Sequence, residues 1–140
     1  MAYWVKISYE KNTFLIDLDR ISAFASEPNK RITFWLPNSS QPIVLNPQNS
    51  PDSYTQVLEY LKKKLTLTLK NEEWIVIDYD RSQWLMNLNS ISSFAIASNG
   101  RITFWLPDSM KDMIINPQSN PVTYQKLIDF IKNKTGFIIS

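Results

Sequence analysis

The chain matches itself when it is shifted by 70 residues, and the alignment needs no gap. The segment 31–37 (Arg-Ile-Thr-Phe-Trp-Leu-Pro) returns unchanged at 101–107, and the Asn-Pro-Gln of 46–48 returns at 116–118. Across the halves 25 of 70 aligned pairs are identical, about 36%, against roughly 6% expected from ordinary composition. We therefore interpret the chain as a tandem duplication of one structural unit, residues 1–70 and 71–140.

Each unit reads as about five antiparallel strands followed by one helix. Residues 3–9 and 31–36 alternate apolar and polar side chains, which is typical of half-buried strands. Asn99-Gly100 predicts a type I′ hairpin turn between the third and fourth strands of the second unit. Ser50-Pro51 and Asn120-Pro121 each place a capping residue before a proline, and apolar side chains then recur at helical spacing. The predicted fold class is α+β.

The junction between the units lacks the composition of a flexible linker. Residues 65–71 alternate apolar and polar side chains like a strand, and 137–139 are their counterpart. A unit of 70 residues alone buries only about 60% of its unfolded surface and is marginally stable. We therefore expect the two units to dock about an approximate two-fold axis and to form one compact folding unit.

Composition argues against an enzyme. The sequence has no Cys, no His and only two Gly, which excludes disulfides, a Ser-His triad and a glycine-rich phosphate loop. Asp17 and Asp19 resemble a carboxylate pair, but their counterparts are Asn87 and Asn89. Asn shares the turn chemistry of Asp and not its proton transfer, so a structural role is favoured. We expect no catalytic residue, no metal and no cofactor.

Charge gives little indication of the partner. The chain has 15 basic and 13 acidic residues, net +2. The first unit carries 9 basic and 6 acidic residues, net +3, and the second carries 6 and 7, net −1. The one basic run is 62–64, and segment 31–35 lacks the glycines of an RNA-recognition signature. Nucleic acid is therefore not the expected partner.

No targeting or membrane pattern occurs in the sequence. The first residues lack the basic and apolar regions of a signal peptide. No apolar run approaches the roughly 18 residues that span a bilayer. We expect a cytoplasmic protein without a membrane partner.

Aromatic and arginine side chains on the second face of the sheet are the candidate binding residues. Tryptophan and arginine are common at interface hot spots. The candidates are Trp4, Arg31 and Trp35 in the first unit and Trp74, Arg101 and Trp105 in the second. Either Trp35 and Trp105 are buried where the halves meet, which we favour, or they form an exposed patch.

The predicted function is a non-enzymatic, cytoplasmic protein-interaction or adaptor module. Its partner, another protein, would dock on the aromatic sheet face or add a strand to an exposed sheet edge. A homodimer is left open. The alternative is a weak single-stranded nucleic-acid-binding protein, in which sheet aromatics stack on bases. No motif is specific enough to name a family.

Overall fold

The same order of elements occurs twice along the chain. A computed structural model describes residues 2–37, 39, 41–67, 74–109 and 111–138. The first half contains β1 (Trp4–Tyr9), β2 (Asn12–Asp17), a 3₁₀ turn (Leu18–Arg20), β3 (Ala23–Ser26), β4 (Ile32–Trp35), β5 (Pro42–Leu45) and α1 (Pro51–Leu67). The second half contains β6 (Trp74–Tyr79), β7 (Ser82–Asn87), a 3₁₀ turn (Leu88–Ser90), β8 (Phe94–Ile96), β9 (Ile102–Trp105), β10 (Asp112–Ile115) and α2 (Pro121–Thr135). The α+β class is confirmed.

The strands form three antiparallel sheets, and the largest contains strands of both halves. The sheets are β1-β2, β10-β9-β8 and β5-β4-β3-β7-β6. In the five-stranded sheet, β3 of the first half pairs with β7 of the second, with Phe24 opposite Leu85 and Ala25 opposite Trp84. The backbone N–H of Asn87 extends this pairing by donating to the Ser22 carbonyl at 2.9 Å. The two halves are therefore joined through their backbones.

The five-stranded sheet lies between two apolar cores. Successive side chains of a strand point to opposite faces, so Phe24 faces one core and Ala25 faces the other. The first core lies between this sheet, the β1-β2 sheet and α1, and it also receives Trp74 and Leu85 from the second half. The second core lies between the same sheet, the β10-β9-β8 sheet and α2, and it receives Ala23 and Ala25 from the first half. Each core thus contains side chains of both halves.

Each helix buries one stripe of apolar side chains. In α1 these are Val57, Tyr60 and Leu61, and in α2 they are Leu127, Phe130 and Ile131. Both helices begin at the predicted proline, although the Asn120 side chain makes no capping hydrogen bond. Helix α2 ends where Gly136 adopts a left-handed conformation, with φ of +79°, and donates its N–H to the Lys132 carbonyl. A glycine suits this position because it has no Cβ.

Two local predictions are wrong. Residues 65–67 continue helix α1, and residues 137 and 138 follow α2 without regular structure, so neither segment is a strand there. Residues 68–71 and 139 lie outside the described residues. At Asn99-Gly100 the hairpin is present, but only Gly100 has a positive φ. This is a turn closed by one left-handed residue, not type I′.

Two-residue turns with two positive φ angles occur elsewhere. They are Glu10-Lys11 between β1 and β2, with φ of 48° and 67°, and Asp80-Arg81 between β6 and β7, with φ of 51° and 67°. Type I′ turns favour Asn and Gly at these positions, so the sequence carried no signal for them.

The approximate two-fold axis that we expected is not present in the strand pairing. A two-fold relation would pair β8 with β2 in the way that β3 pairs with β7. Among the described strands, β2 pairs with β1 alone and β8 pairs with β9 alone. The two halves therefore have the same elements in different surroundings.

We predict that thermal unfolding is one cooperative transition, because the five-stranded sheet and both cores require strands of both halves. Circular dichroism of the backbone and tryptophan fluorescence should report the same midpoint. Two resolved transitions, or a fragment 1–70 that folds alone, would contradict this.

Candidate functional site

The equivalent tryptophans Trp4 and Trp74 lie in different environments. Trp4 is on the outer face of β1, with 66% of its surface exposed, whereas Trp74 is 6% exposed within the first core. The difference arises because β6 lies in the five-stranded sheet, where both faces are covered, and β1 lies in an outer sheet. Trp74 is consequently inaccessible to a partner.

Trp35 and Trp105 also differ. Trp35 is half-buried and stacks on Trp84 of the second half, with ring centroids 5.6 Å apart and planes 3° apart. Trp105 remains 47% exposed on the outer face of β9. Trp35 therefore lies where the halves meet but is not fully buried, and Trp105 is exposed, so the two tryptophans do not share one environment.

The two candidate arginines have different neighbours. Arg31 forms an ion pair with Glu27 and donates two hydrogen bonds to its carboxylate, and this contact lowers the pKa of the Glu27 carboxyl. Arg101 is exposed and has Ala97 at the position equivalent to Glu27. The six candidate residues do not form one surface, since Trp74 and Trp35 face opposite sides of the central sheet.

Cations are concentrated near the C-terminal end of α1. We define the basic end as Arg20, Lys62, Lys63 and Lys64. Lys63 Nζ lies 3.5 Å from the Tyr3 hydroxyl and 5.2 Å from the centre of its ring. Lys64 Nζ lies 3.4 Å from Asp19 Oδ1, and Arg20 follows Asp19 in the same 3₁₀ turn. The basic end thus brings together Tyr3 just before β1, the 3₁₀ turn and α1.

A buried hydrogen bond supports this end of the molecule. The Tyr60 hydroxyl donates to Asp19 Oδ1 at 2.7 Å, and Tyr60 is almost wholly buried. Burial, and then the hydrogen bond and charge of Asp19, raise the pKa of the Tyr60 hydroxyl far above its usual value. Asp17 accepts the backbone N–H groups of Tyr3 at 2.9 Å and of Asp19 at 3.1 Å. Both carboxylates thus position backbone and side chains. Asn87 accepts the equivalent N–H of Asn89 at 2.9 Å, but the Tyr60 contact of Asp19 has no counterpart, because residue 130 is Phe.

The sequence identified the lysine run but not its surroundings. Tyr60, Asp19 and Arg20 are replaced by Phe130, Asn89 and Ser90 in the second half. A comparison of the two halves for lost charge and lost hydroxyl groups would have found this cluster.

Two polar clefts lie at equivalent places in the two halves. One lies between the β1–β2 turn and the segment entering α1, and the other between the β6–β7 turn and the segment entering α2. The second cleft is also lined by Glu27 and Pro28. In the first, Asn46 Oδ1 accepts the N–H of Asn49 at 2.7 Å, so this repeated Asn is used within its own turn.

The described part of the chain has neither a metal-binding cluster nor a membrane-spanning helix. No group of three or more Asp, Glu, His or Cys side chains is arranged to hold a metal ion there. None of the described helices is both long and apolar enough to cross a membrane.

Comparison with known proteins finds one informative likeness, in the fold. No family model and no curated protein matches the chain. A solved LytTr DNA-binding domain from Bacillus cereus is similar in structure, with a TM-score of 0.50 and 14% sequence identity. The likeness covers 89% of this chain and 94% of that domain, so it includes both halves.

This likeness contradicts two of our interpretations. The chain was interpreted as a protein-interaction adaptor, and its partner as another protein in preference to nucleic acid. The similar structure is a DNA-binding domain, so both interpretations are wrong. The sequence misled because its net charge is small and its aromatic side chains suggested a protein interface.

Truncation of the two repeated tryptophans should separate their environments. We expect Trp35→Ala to lower the free energy of unfolding by about 2–3 kcal/mol, because a half-buried stacked ring is lost. Trp105→Ala should change it by less than about 1 kcal/mol, because the ring is exposed. Urea unfolding of dilute protein measures both values. Equal losses would contradict the different environments.

The raised pKa of Tyr60 predicts a pH dependence of stability. Above the unfolded-state pKa near 10, the unfolded chain releases this proton and the folded chain keeps it. Stability from this group is therefore complete below about pH 10, and above it falls by about 1.4 kcal/mol per pH unit. Tyr60→Phe should remove this part of the slope.

Urea unfolding of the wild type and the variant between pH 9 and pH 11 tests this, because the other titrating groups contribute equally to both (these pH values are roughly one unit either side of the ordinary tyrosine pKa). Parallel curves would show that Tyr60 ionises as readily in the folded chain as in the unfolded one.

Proposed function

We propose that this chain is a DNA-binding domain that contacts duplex DNA through its basic end. The observation that carries the proposal is the fold likeness to a LytTr DNA-binding domain over 89% of the chain. The nucleic-acid alternative left open by the sequence is the class of function that this likeness favours.

Charge supports the basic end as the contact surface. The first half has net charge +3 and the second −1, so DNA is attracted more strongly to the first half. Three consecutive lysines follow one another at 62–64, where the second half has Lys132, Asn133 and Lys134. Lys62 and Lys63 are exposed, whereas Lys64 is partly neutralised by Asp19.

Binding through this surface depends mainly on phosphate contacts. Lysines that neutralise phosphates release condensed counterions, and affinity then falls as salt rises. Such contacts fix the position of the protein but carry no direct sequence information. Four clustered cations predict modest affinity with a clear salt dependence.

The remaining parts of the proposal concern the whole chain. We propose that residues 1–70 and 71–140 are tandem duplicates that fold together. The 25 identical pairs, the repeated order of elements and the shared sheet support this. We also propose that the protein is not an enzyme, since the sequence has neither His nor Cys, and that it works in the cytoplasm.

Lysine replacements near the C-terminal ends of the two helices test the proposed contact surface. We expect the double variant Lys62→Gln/Lys63→Gln to weaken binding to a mixed-sequence duplex and to reduce the salt slope by about 2, or one per lysine. The matched control, Lys132→Gln/Lys134→Gln, makes the same charge change on α2 and should retain most of the affinity. Fluorescence anisotropy at several salt concentrations measures both.

Two outcomes would count against the proposal. If the wild type fails to bind the duplex at low salt, the DNA-binding function is wrong. If both double variants lose affinity equally, the effect is one of net charge and the basic end is not the contact surface. Tighter binding to a single strand of equal length would favour the single-stranded alternative.

A further inference from the structure

Strands β2 and β8 each have one unpaired edge in the described sheets. These edges are equivalent, by the shift of 70 residues, to the edges of β7 and β3 that pair with each other. In the five-stranded sheet, the joint between halves is the pairing of β3 with β7. A shift of 70 residues turns this pair into β8 with β2, and the chain does not make that pairing. We call the free side of β2 the β2 edge and the free side of β8 the β8 edge.

Apolar side chains next to the two free edges are exposed, whereas the equivalent side chains next to the internal joint are buried. Leu85 is 5% exposed beside the joint, whereas its equivalent Leu15 is 70% exposed. Ala25 is buried, and its equivalent Ala95 is exposed. Leu15 and Trp4 thus form an exposed apolar surface beside the β2 edge, and Ala95 and Trp105 form one beside the β8 edge.

The chain cannot close this second joint on itself. The β1-β2 sheet and the β10-β9-β8 sheet lie on opposite sides of the five-stranded sheet, each separated from it by an apolar core. Packed sheets lie about 10 Å apart, so the two outer sheets are about 20 Å apart. Hydrogen-bonded strands must lie within about 5 Å, so the missing strand has to come from another molecule.

We propose that copies of this chain assemble head to tail, with the β8 edge of one copy paired to the β2 edge of the next. The register of the internal joint sets the pairing. Phe24 opposite Leu85 becomes Phe94 opposite Leu15, and Ala25 opposite Trp84 becomes Ala95 opposite Phe14. The result is a second five-stranded sheet, of order β10-β9-β8-β2-β1, with the same polarity as the first.

The same operation covers the exposed aromatic rings. Trp35 of β4 stacks on Trp84 of β7 across the internal joint. The equivalent pair across the new joint is Trp105 of one copy and Phe14 of the next. Trp4 packs against the second core of the neighbouring copy, at the position equivalent to that of Trp74 in the first core. Lys6 takes the place of half-buried Val76, where its aliphatic stem is buried and its ammonium reaches solvent.

Charge favours the same partner. Head-to-tail contact places the first half of one copy, net +3, against the second half of the next, net −1, and opposite potentials promote association. The joint is heterologous, so repetition gives a ring if the rotation closes and an open filament if it does not. Assembly is measured without DNA, so its outcome is independent of the DNA-binding proposal.

The experiment uses one variant for each edge, without DNA. Leu15→Lys places a charge on the β2 edge, and Ala95→Lys does so on the β8 edge. Both side chains are exposed within a single chain, so both variants should fold, and circular dichroism checks this. Sedimentation velocity should show the wild type as dimers or larger species whose size rises with concentration, and each variant alone as a monomer.

Mixing the two variants gives the decisive result. The intact β8 edge of Leu15→Lys fits the intact β2 edge of Ala95→Lys, so an equimolar mixture should form a one-to-one dimer and nothing larger. Val122→Lys is the control, because Val122 is also 70% exposed but lies on α2, away from both edges. It should assemble like the wild type.

Three results would overturn the proposal. They are a wild type that stays monomeric at high micromolar concentration, a mixture of the edge variants that stays monomeric, and self-association of either edge variant alone. The last result would indicate contact between two identical edges.

Discussion

The backbone pairing of β3 with β7 is the interaction on which the rest of the structure depends. It brings Phe24 and Leu85 to one face of a single sheet and Ala25 and Trp84 to the other. Because one strand comes from each half, neither half can complete its core without the other. Each half alone is also small enough to be marginal, since short chains bury a small fraction of their surface. The joint therefore converts two weak units into three sheets around two shared cores.

Because the chain has only this one joint among its described strands, identical residues at equivalent positions of the two halves differ in burial. The joint uses β3 from the first half and β7 from the second, so it buries Trp74 but leaves Trp4 exposed. In the same way it buries Leu85 and leaves Leu15 exposed. No difference in the residues themselves explains these contrasts, because each pair is identical. Position in the sheet order, and not local sequence, decides which copy of a side chain is available to a partner.

Patterns within one element could be predicted from the sequence, and relations between elements could not. Alternation and proline placement gave the strands and the starts of both helices, because these depend on neighbouring side chains. Residues 65–67 alternate like a strand but extend α1, since propagation of an established helix adds one hydrogen bond per residue. The pairing of β3 with β7 joins residues more than 50 positions apart in the sequence. A repeat pattern alone does not predict which strands of the two halves pair. The lysine run of the basic end was visible in the sequence, but its surroundings were not, because Asp19 and Lys64 meet only when the 3₁₀ turn packs beside α1.

The two halves differ in charge where a DNA contact is proposed and are identical in one pair of equivalent strands. Segment 31–37 is identical to 101–107 and contains β4 and β9, which form the middle of each three-stranded meander. The 3₁₀ turn and the end of α1, by contrast, carry Asp19, Arg20 and Lys63 where the second half has Asn89, Ser90 and Asn133. Strands β4 and β9 have the same restrictions, since each lies between two strands and presents the same apolar face to a core. The buried hydrogen bond of Tyr60 to Asp19 fixes the 3₁₀ turn against α1 in the first half, and Phe130 has no hydroxyl to make it in the second. The loss of Arg20, Lys63 and the Tyr60 hydroxyl from the equivalent positions of the second half is therefore what a functional surface present in the first half alone predicts.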